Sequence, residues 1–154
     1  MKRIVFLISA CAIAVFMLCA CSTKVDYSDL KQYNGVMFRA ATHNWGEVDI
    51  MSDYWDSTTY TVHYDGTIEV TDVYNLSGET SVKLTLSDGD YDEIYRFTSA
   101  GEIKESVDGA DGVAWDFHYY DTDGNHTLIY SGYTYGIESM EKIQKILKGY
   151  HVEE

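Results

Sequence analysis

Three side chains on two predicted strands are suited to binding a metal ion. Asp116 and His118 lie two positions apart in a segment that alternates apolar and polar residues, so a strand places both on one face. His63 lies near the end of another alternating segment. If the two strands are neighbours, Asp116, His118 and His63 are weak candidate ligands for a metal such as zinc. Polar residues on a solvated sheet face explain the same pattern, and we expect no bound metal.

The acidic segment that starts at Asp121 has the composition of a turn rather than that of a calcium loop. An EF-hand loop starting there needs glycine at its sixth position and glutamate at its twelfth. This chain has His126 and Gly132 at those positions. We therefore predict that Asp121–Gly124 forms the turn of a hairpin.

No residue pattern typical of covalent catalysis is present. The chain lacks the Gly-x-Ser-x-Gly motif, and its three cysteines, Cys11, Cys19 and Cys21, lie close to the N-terminus. A pair of carboxylates for glycoside hydrolysis cannot be selected among 25 acidic residues. We predict that the protein is not an enzyme, and the alternative is a small metal-dependent hydrolase.

Aromatic residues give stronger support for ligand binding than the metal-binding and catalytic patterns do. The chain has 14 tyrosines and 3 tryptophans. Aromatic faces with carboxylates beside them bind sugars by stacking and hydrogen bonding, and they also bind cations. The candidate binding residues cluster around the last predicted hairpin: Tyr120, Tyr130, Tyr133 and Tyr135. Tyrosine is also common in strands, so ordinary sheet composition is the alternative explanation.

Hairpins and two helices are the elements that would position these residues. The clearest hairpin joins Thr58–Tyr64 to Thr67–Val73 through Asp65-Gly66, a dipeptide that favours a two-residue turn. Alternating or apolar segments predict the remaining strands: Val36–Thr42, Ser81–Leu86, Val113–Tyr120, Asn125–Ser131 and, more weakly, Val48–Met51.

Helical spacing of apolar residues predicts one helix after Ser87, which would be its N-cap, and a second helix at Glu138–Lys148. Ser139 is the candidate cap of the second helix, and a short helix at Tyr27–Tyr33 is weakly indicated. These elements predict an α+β fold, an antiparallel β-sheet of about 5–7 strands with two helices packed on one face.

The N-terminal segment has the layout of a secretory signal. A basic head, Met1-Lys2-Arg3, precedes Ile4–Ala20, in which only Ser9 is not apolar. The segment ends Leu18-Cys19-Ala20-Cys21, which resembles the lipobox of bacterial lipoproteins. The resemblance implies cleavage after Ala20 and a covalent diacylglycerol lipid on the Cys21 thiol. Apart from this lipid we expect no cofactor.

Two alternatives to Cys21 lipidation remain. Ile8-Ser9-Ala10-Cys11 also fits the lipobox but leaves an apolar region shorter than the usual minimum of about 7 residues before it. An uncleaved anchor is the other alternative, although a membrane span usually needs about 20 apolar residues.

The charge balance excludes one class of partner. The chain has 25 acidic and 11 basic residues and a net charge of −14, and DNA or RNA would repel such a surface. We therefore expect no nucleic-acid binding. The predicted organisation is a cleaved signal peptide at 1–20, a lipidated tether at 21–34, a single α+β domain at 35–150 and a polar tail at 151–154.

Together these patterns predict a lipid-anchored binding or interaction module that lies outside the cytoplasm, on the cell membrane or the outer membrane. Its expected partners are the membrane, through the lipid, and either an envelope protein or a carbohydrate. An inhibitor or accessory subunit of an envelope enzyme or transporter is the alternative. The strand, Asp-Gly-Thr, strand order ahead of Leu86-Ser87-x-x-x-Tyr91 also resembles small uncharacterised lipoprotein domains of bacteria, and this resemblance implies no activity.

Overall fold

The computed structural model describes residues 26–44, 46–101, 103 and 113–152. Six strands and two helices follow a short 3-10 helix at Leu30–Gln32. In chain order they are β1 (Val36–His43), β2 (Trp55–His63), β3 (Thr67–Tyr74), β4 (Gly78–Thr85), α1 (Asp88–Ser99), β5 (Trp115–Tyr120), β6 (His126–Gly132) and α2 (Glu138–Lys148). The structure confirms the predicted α+β class and the number of strands. The predicted signal peptide and Cys21 lie outside the described residues.

All six strands belong to one antiparallel sheet with the order β4-β3-β2-β1-β5-β6. The first four strands form a meander, since each pairs with the next. The chain then returns through α1 from the edge strand β4 to the other side of β1, where β5 pairs with it. This return is the one step in the strand order that depends on contacts between distant parts of the chain.

Both helices pack on the same face of the sheet. Strand alternation builds two apolar rows across that face, Leu84–Ile68–Val62–Phe38–Tyr119 and Val82–Val70–Tyr60–Ala40–Phe117–Tyr130. Helix α1 adds Tyr91, Ile94 and Phe97 to this core, and α2 adds Met140, Ile143 and Leu147. Residues at helical spacing therefore meet residues at strand spacing in one cluster.

Local signals account for most of the turns and caps. Gly66 has a φ of +85°, as the turn between β2 and β3 requires. The predicted cap of α1 is confirmed, because Ser87 Oγ accepts a hydrogen bond from the Asp90 N–H at 3.2 Å. The same serine hydroxyl donates to Asp90 Oδ2 at 2.6 Å.

Three local predictions differ from the structure. Helix α2 starts after Ile137 without a side-chain cap, so Ser139 lies inside the helix rather than at its N-cap. The segment Val48–Met51 is not a strand, because Asp49 Oδ1 accepts the Met51 N–H at 2.9 Å and folds it into a turn. The helix predicted at Tyr27–Tyr33 is only the 3-10 turn at Leu30–Gln32. Among the described residues, no helix has the length and apolar character to cross a membrane.

Candidate functional site

The third row of side chains on the helix-bearing face is polar. Toward one end of the sheet, the strands place side by side Thr80, Asp72, Thr58 and Thr42, and Trp115 of β5 follows Thr42 at the end of this polar row. This row lines a cleft of about 1220 Å³, whose described wall also includes Lys148 and His151 from the C-terminal end of α2 and the residues after it. The cleft is thus the part of the helix-bearing face where the apolar core gives way to polar side chains.

Asp72 is the more buried of the two carboxylates that line the cleft, Asp53 and Asp72. Its side chain is 13% exposed, and its Oδ2 accepts a hydrogen bond from His151 Nε2 at 2.8 Å. Its Oδ1 accepts from Thr58 Oγ1 at 2.5 Å. Thr58 Oγ1 in turn accepts from Trp55 Nε1 at 2.8 Å. The network therefore orients a carboxylate, an imidazole and an indole ring in the same cleft.

Aromatic rings form the apolar part of the cleft wall. Trp115 and Tyr60 stack with centroids 5.9 Å apart and planes 17° apart. Lys148 Nζ lies 5.8 Å from the centroid of the Trp115 ring, within cation–π range. Trp55 and Tyr74 line the same cleft and are half-buried. Four rings thus surround the polar row, and two of them present solvent-accessible surface.

Two buried hydroxyl groups lie at the base of the cleft, those of Tyr60 and Thr42. Burial, and then the negative charge of Asp72, raises the pKa of the Tyr60 phenol to about 12, so this hydroxyl remains protonated at neutral pH. Thr42 Oγ1 is buried, and no described residue is within hydrogen-bonding distance of it. A buried hydroxyl without a partner costs about 1–3 kcal/mol, so Thr42 Oγ1 lowers the stability of the fold at this point.

The structure does not bring the three candidate metal ligands together. Strand β1 lies between β2, which carries His63, and β5, which carries Asp116 and His118. His118 instead lies against His126 of β6. Burial, and then the nearby His126, lowers the pKa of His118. In the ranges that the structure describes, no three histidine, cysteine or carboxylate side chains are grouped closely enough to hold a metal ion.

The four candidate binding tyrosines do not share one site, although Tyr130 and Tyr133 are in contact. Tyr120 lies on the open face of the sheet, with its ring 5.2 Å from that of His126. Tyr130 is buried in the core on the other face, and its hydroxyl donates to the Tyr133 carbonyl. Tyr135 is 83% exposed. None of the four residues lines the cleft beside Asp72.

The sequence carries one signal for this cleft, the position of its polar residues within the strands. Thr42, Thr58 and Asp72 each occupy an inward-facing position in a strand whose other inward residues are apolar. One polar residue at such a position is common, but three on adjacent strands mark a patch. His151, which the sequence assigns to the polar tail 151–154, completes the patch by contacting Asp72.

No protein-family model matches this chain. No curated protein and no solved structure matches it either.

Proposed function

We propose that this protein is a non-catalytic binding module, attached by lipid to the outside of the cytoplasmic or outer membrane, and that the cleft beside Asp72 binds a carbohydrate. The observation that carries the proposal is the combination of aromatic rings with a fixed carboxylate in that cleft. Sugars present apolar C–H faces, which stack on aromatic rings, and hydroxyl edges, which hydrogen-bond to carboxylates and hydroxyls. The cleft offers both kinds of surface within a volume suited to an oligosaccharide.

Asp72 supports binding rather than catalysis in this proposal. Both of its oxygens accept hydrogen bonds from protein groups, so the carboxylate is held as a rigid acceptor. Tyr60 keeps its proton and Lys148 presents an ammonium group above Trp115, so donors and acceptors are distributed around the cleft. Such a pre-arranged set favours affinity, because little side-chain freedom is lost when the ligand enters.

A saccharide titration tests the cleft. Tetramers of N-acetylglucosamine and of glucose are added to the full-length protein in detergent while tryptophan fluorescence is recorded. We expect a saturable change with at least one of them, because Trp55 and Trp115 line the cleft. Tyr74→Ala removes a half-buried ring of the wall and should weaken that response at least tenfold. Tyr135→Ala is the matched control, since Tyr135 is 83% exposed and outside the cleft.

Two results contradict this carbohydrate proposal. The first is that neither tetramer changes the fluorescence or the amide NMR shifts of the cleft residues. The second is that Tyr135→Ala weakens binding as much as Tyr74→Ala does. Saturable binding of a purified envelope protein with the same Tyr74 dependence, and without any saccharide response, would identify a protein ligand instead.

The lipobox at Leu18–Cys21 supports the membrane attachment. Tyr27 packs on α1, with ring centroids 5.3 Å from Tyr91 and 5.0 Å from Tyr95. The chain between Cys21 and Asp26 can span at most about 18 Å. Lipid on Cys21 would therefore hold the start of α1 close to the membrane surface.

Metabolic labelling tests the attachment. Cells that express the full chain are grown with a radioactive fatty acid, and the protein is then isolated. Cys21→Ala should lose the label, whereas Cys11→Ala, the matched control, should keep it. Label that persists in Cys21→Ala and disappears in Cys11→Ala would assign the lipid to Cys11 instead. Absence of label from the unaltered chain would contradict the lipid anchor.

A further inference from the structure

We infer that His118 and His126 form a two-histidine binding site for a divalent transition-metal ion, with Cu²⁺ as the ion bound most tightly. The site lies on the face of the sheet opposite the helices and the cleft beside Asp72. It therefore stands independently of the function proposed above.

The hairpin of β5 and β6 brings the two rings together. Its register pairs Tyr120 with His126 and His118 with Leu128, so the histidines are diagonal neighbours on one face. Their rings stack with centroids 4.8 Å apart and planes 29° apart. His118 Nδ1 and His126 Nε2 face each other at 2.6 Å. The strand pairing thus fixes two nitrogen atoms at one point on the surface.

The separation of these nitrogens is close to that of two ligands of one metal ion. At metal–nitrogen bonds of about 2.0–2.1 Å, two imidazoles are about 2.9 Å apart in square-planar and about 3.3 Å apart in tetrahedral coordination. In the metal-free protein the two nitrogens share a hydrogen bond. Metal binding requires the shared proton to leave this position, the nitrogens to separate by a few tenths of an ångström, and the rings to turn until both lone pairs point at the ion. His126 is exposed, and the Tyr120 ring, whose centroid is 5.2 Å away, is the aromatic neighbour beside which it moves.

The surroundings leave room for an open site with water as the remaining ligands. The groups that face the pair are Arg39 of β1, which lies opposite His118, and Asp116, which precedes His118 by two residues on the same face. Their charges are opposite in sign and compensate at the site. Asp116 Oδ2 lies 3.9 Å from His43 Nε2 and is not grouped with the two histidines as a third ligand.

Two neutral imidazoles determine which ion the site prefers. Imidazole is a ligand of intermediate softness that suits copper, nickel and zinc, whereas calcium and magnesium prefer oxygen. With only two protein ligands, the geometry does not select strongly, so the general order of stability applies and places Cu²⁺ above Ni²⁺ and Zn²⁺. The site therefore takes a borderline divalent metal ion.

Calorimetric titration of the full-length protein tests this inference. The protein carries a histidine-free affinity tag, is held in detergent and is first stripped with EDTA. Titration with CuCl₂ should show one equivalent of Cu²⁺ bound, and ZnCl₂ should bind at least tenfold more weakly. His118→Gln and His126→Gln should each lower the Cu²⁺ affinity at least tenfold. His43→Gln, on the same sheet face, is the matched control and should leave it unchanged.

Electron paramagnetic resonance gives a second readout that does not depend on affinity. The Cu²⁺ spectrum of the unaltered protein should show coupling to two imidazole nitrogens, and His126→Gln should reduce this to one. Circular dichroism checks that each variant stays folded. Cu²⁺ binding that is absent, or that is equally strong in a His118→Gln/His126→Gln double variant, overturns the inference. Equal loss of binding in His43→Gln overturns it as well.

Discussion

Replacing Asp72 with alanine should destabilise the protein more than any other single loss of a carboxylate from the described residues. The change removes the acceptor of two hydrogen bonds, one from Thr58 Oγ1 and one from His151 Nε2. It also leaves Thr58 with a hydroxyl that has no acceptor, and Thr58 itself is 3% exposed. The two partners contribute to different extents because their solvent access differs.

The expected magnitude follows from these two partners. Thr58 Oγ1 keeps the hydrogen bond from Trp55 Nε1, but a buried donor that loses its acceptor costs about 1–3 kcal/mol. The pair with His151, whose side chain is 29% exposed, is partly solvated, and such pairs contribute only about 0.5–1 kcal/mol. We therefore expect Asp72→Ala to lower the free energy of unfolding by about 2–3 kcal/mol, which for a domain of this size lowers Tm by about 8–12 °C.

Thermal unfolding of the full-length protein in detergent, followed by circular dichroism, measures this loss. Asp72→Asn keeps an oxygen acceptor for Thr58 and should lose about 1 kcal/mol, roughly a hydrogen bond's net contribution. Asp123→Ala is the matched control, because Asp123 is exposed in the turn before β6 and should change stability by less than about 0.5 kcal/mol. If Asp72→Ala unfolds at the same temperature as Asp123→Ala, the carboxylate is not held as the structure indicates.

Three further changes test local features of the fold. Ser87→Ala removes the cap of α1 and should cost about 1 kcal/mol in urea unfolding, while Ser139→Ala, inside α2, should cost less. Gly66→Ala places a Cβ at a φ of +85° and should also cost about 1 kcal/mol, measured in the same way. The fold raises the pKa of the Tyr60 phenol to about 12, so Tyr60 ionises at lower pH in the unfolded chain than in the folded protein. The free energy of unfolding therefore falls as pH rises from about 10 towards 12. Tyr60→Phe should make that alkaline loss shallower in unfolding experiments across this pH range.

Local patterns predict the elements well because the interactions that define them are local. The Asp65-Gly66 turn requires only its own backbone conformation, and the cap at Ser87 requires only a residue three positions further on. Helix α2 lacks such a local signal. Its N-cap residue is Ile137, whose side chain cannot accept a hydrogen bond. Its buried apolar stripe, which packs on the sheet, stabilises the helix without a cap.

The candidate sites were harder to predict because they depend on strand order. Whether His63 neighbours His118 is decided by the return of the chain through α1, which inserts β5 beside β1 rather than beside β2. His126 reaches His118 through the hairpin of β5 and β6, a contact that depends on the register of that hairpin. The sequence predicted the hairpin but not its register, since the register shifts between Phe117 and His118.

The polar row of the cleft links the fold to the proposed binding of a carbohydrate. Extending the apolar pattern to Thr42, Thr58 and Asp72 would bury more apolar area and stabilise the domain further. The chain instead places two hydroxyls and a carboxylate there, fixes two of these three groups through Trp55 and His151, and leaves Thr42 Oγ1 without a partner among the described residues. Asp72 keeps some solvent access, with 13% of its side chain exposed, and it is the member of this row that supports the proposed binding of a carbohydrate.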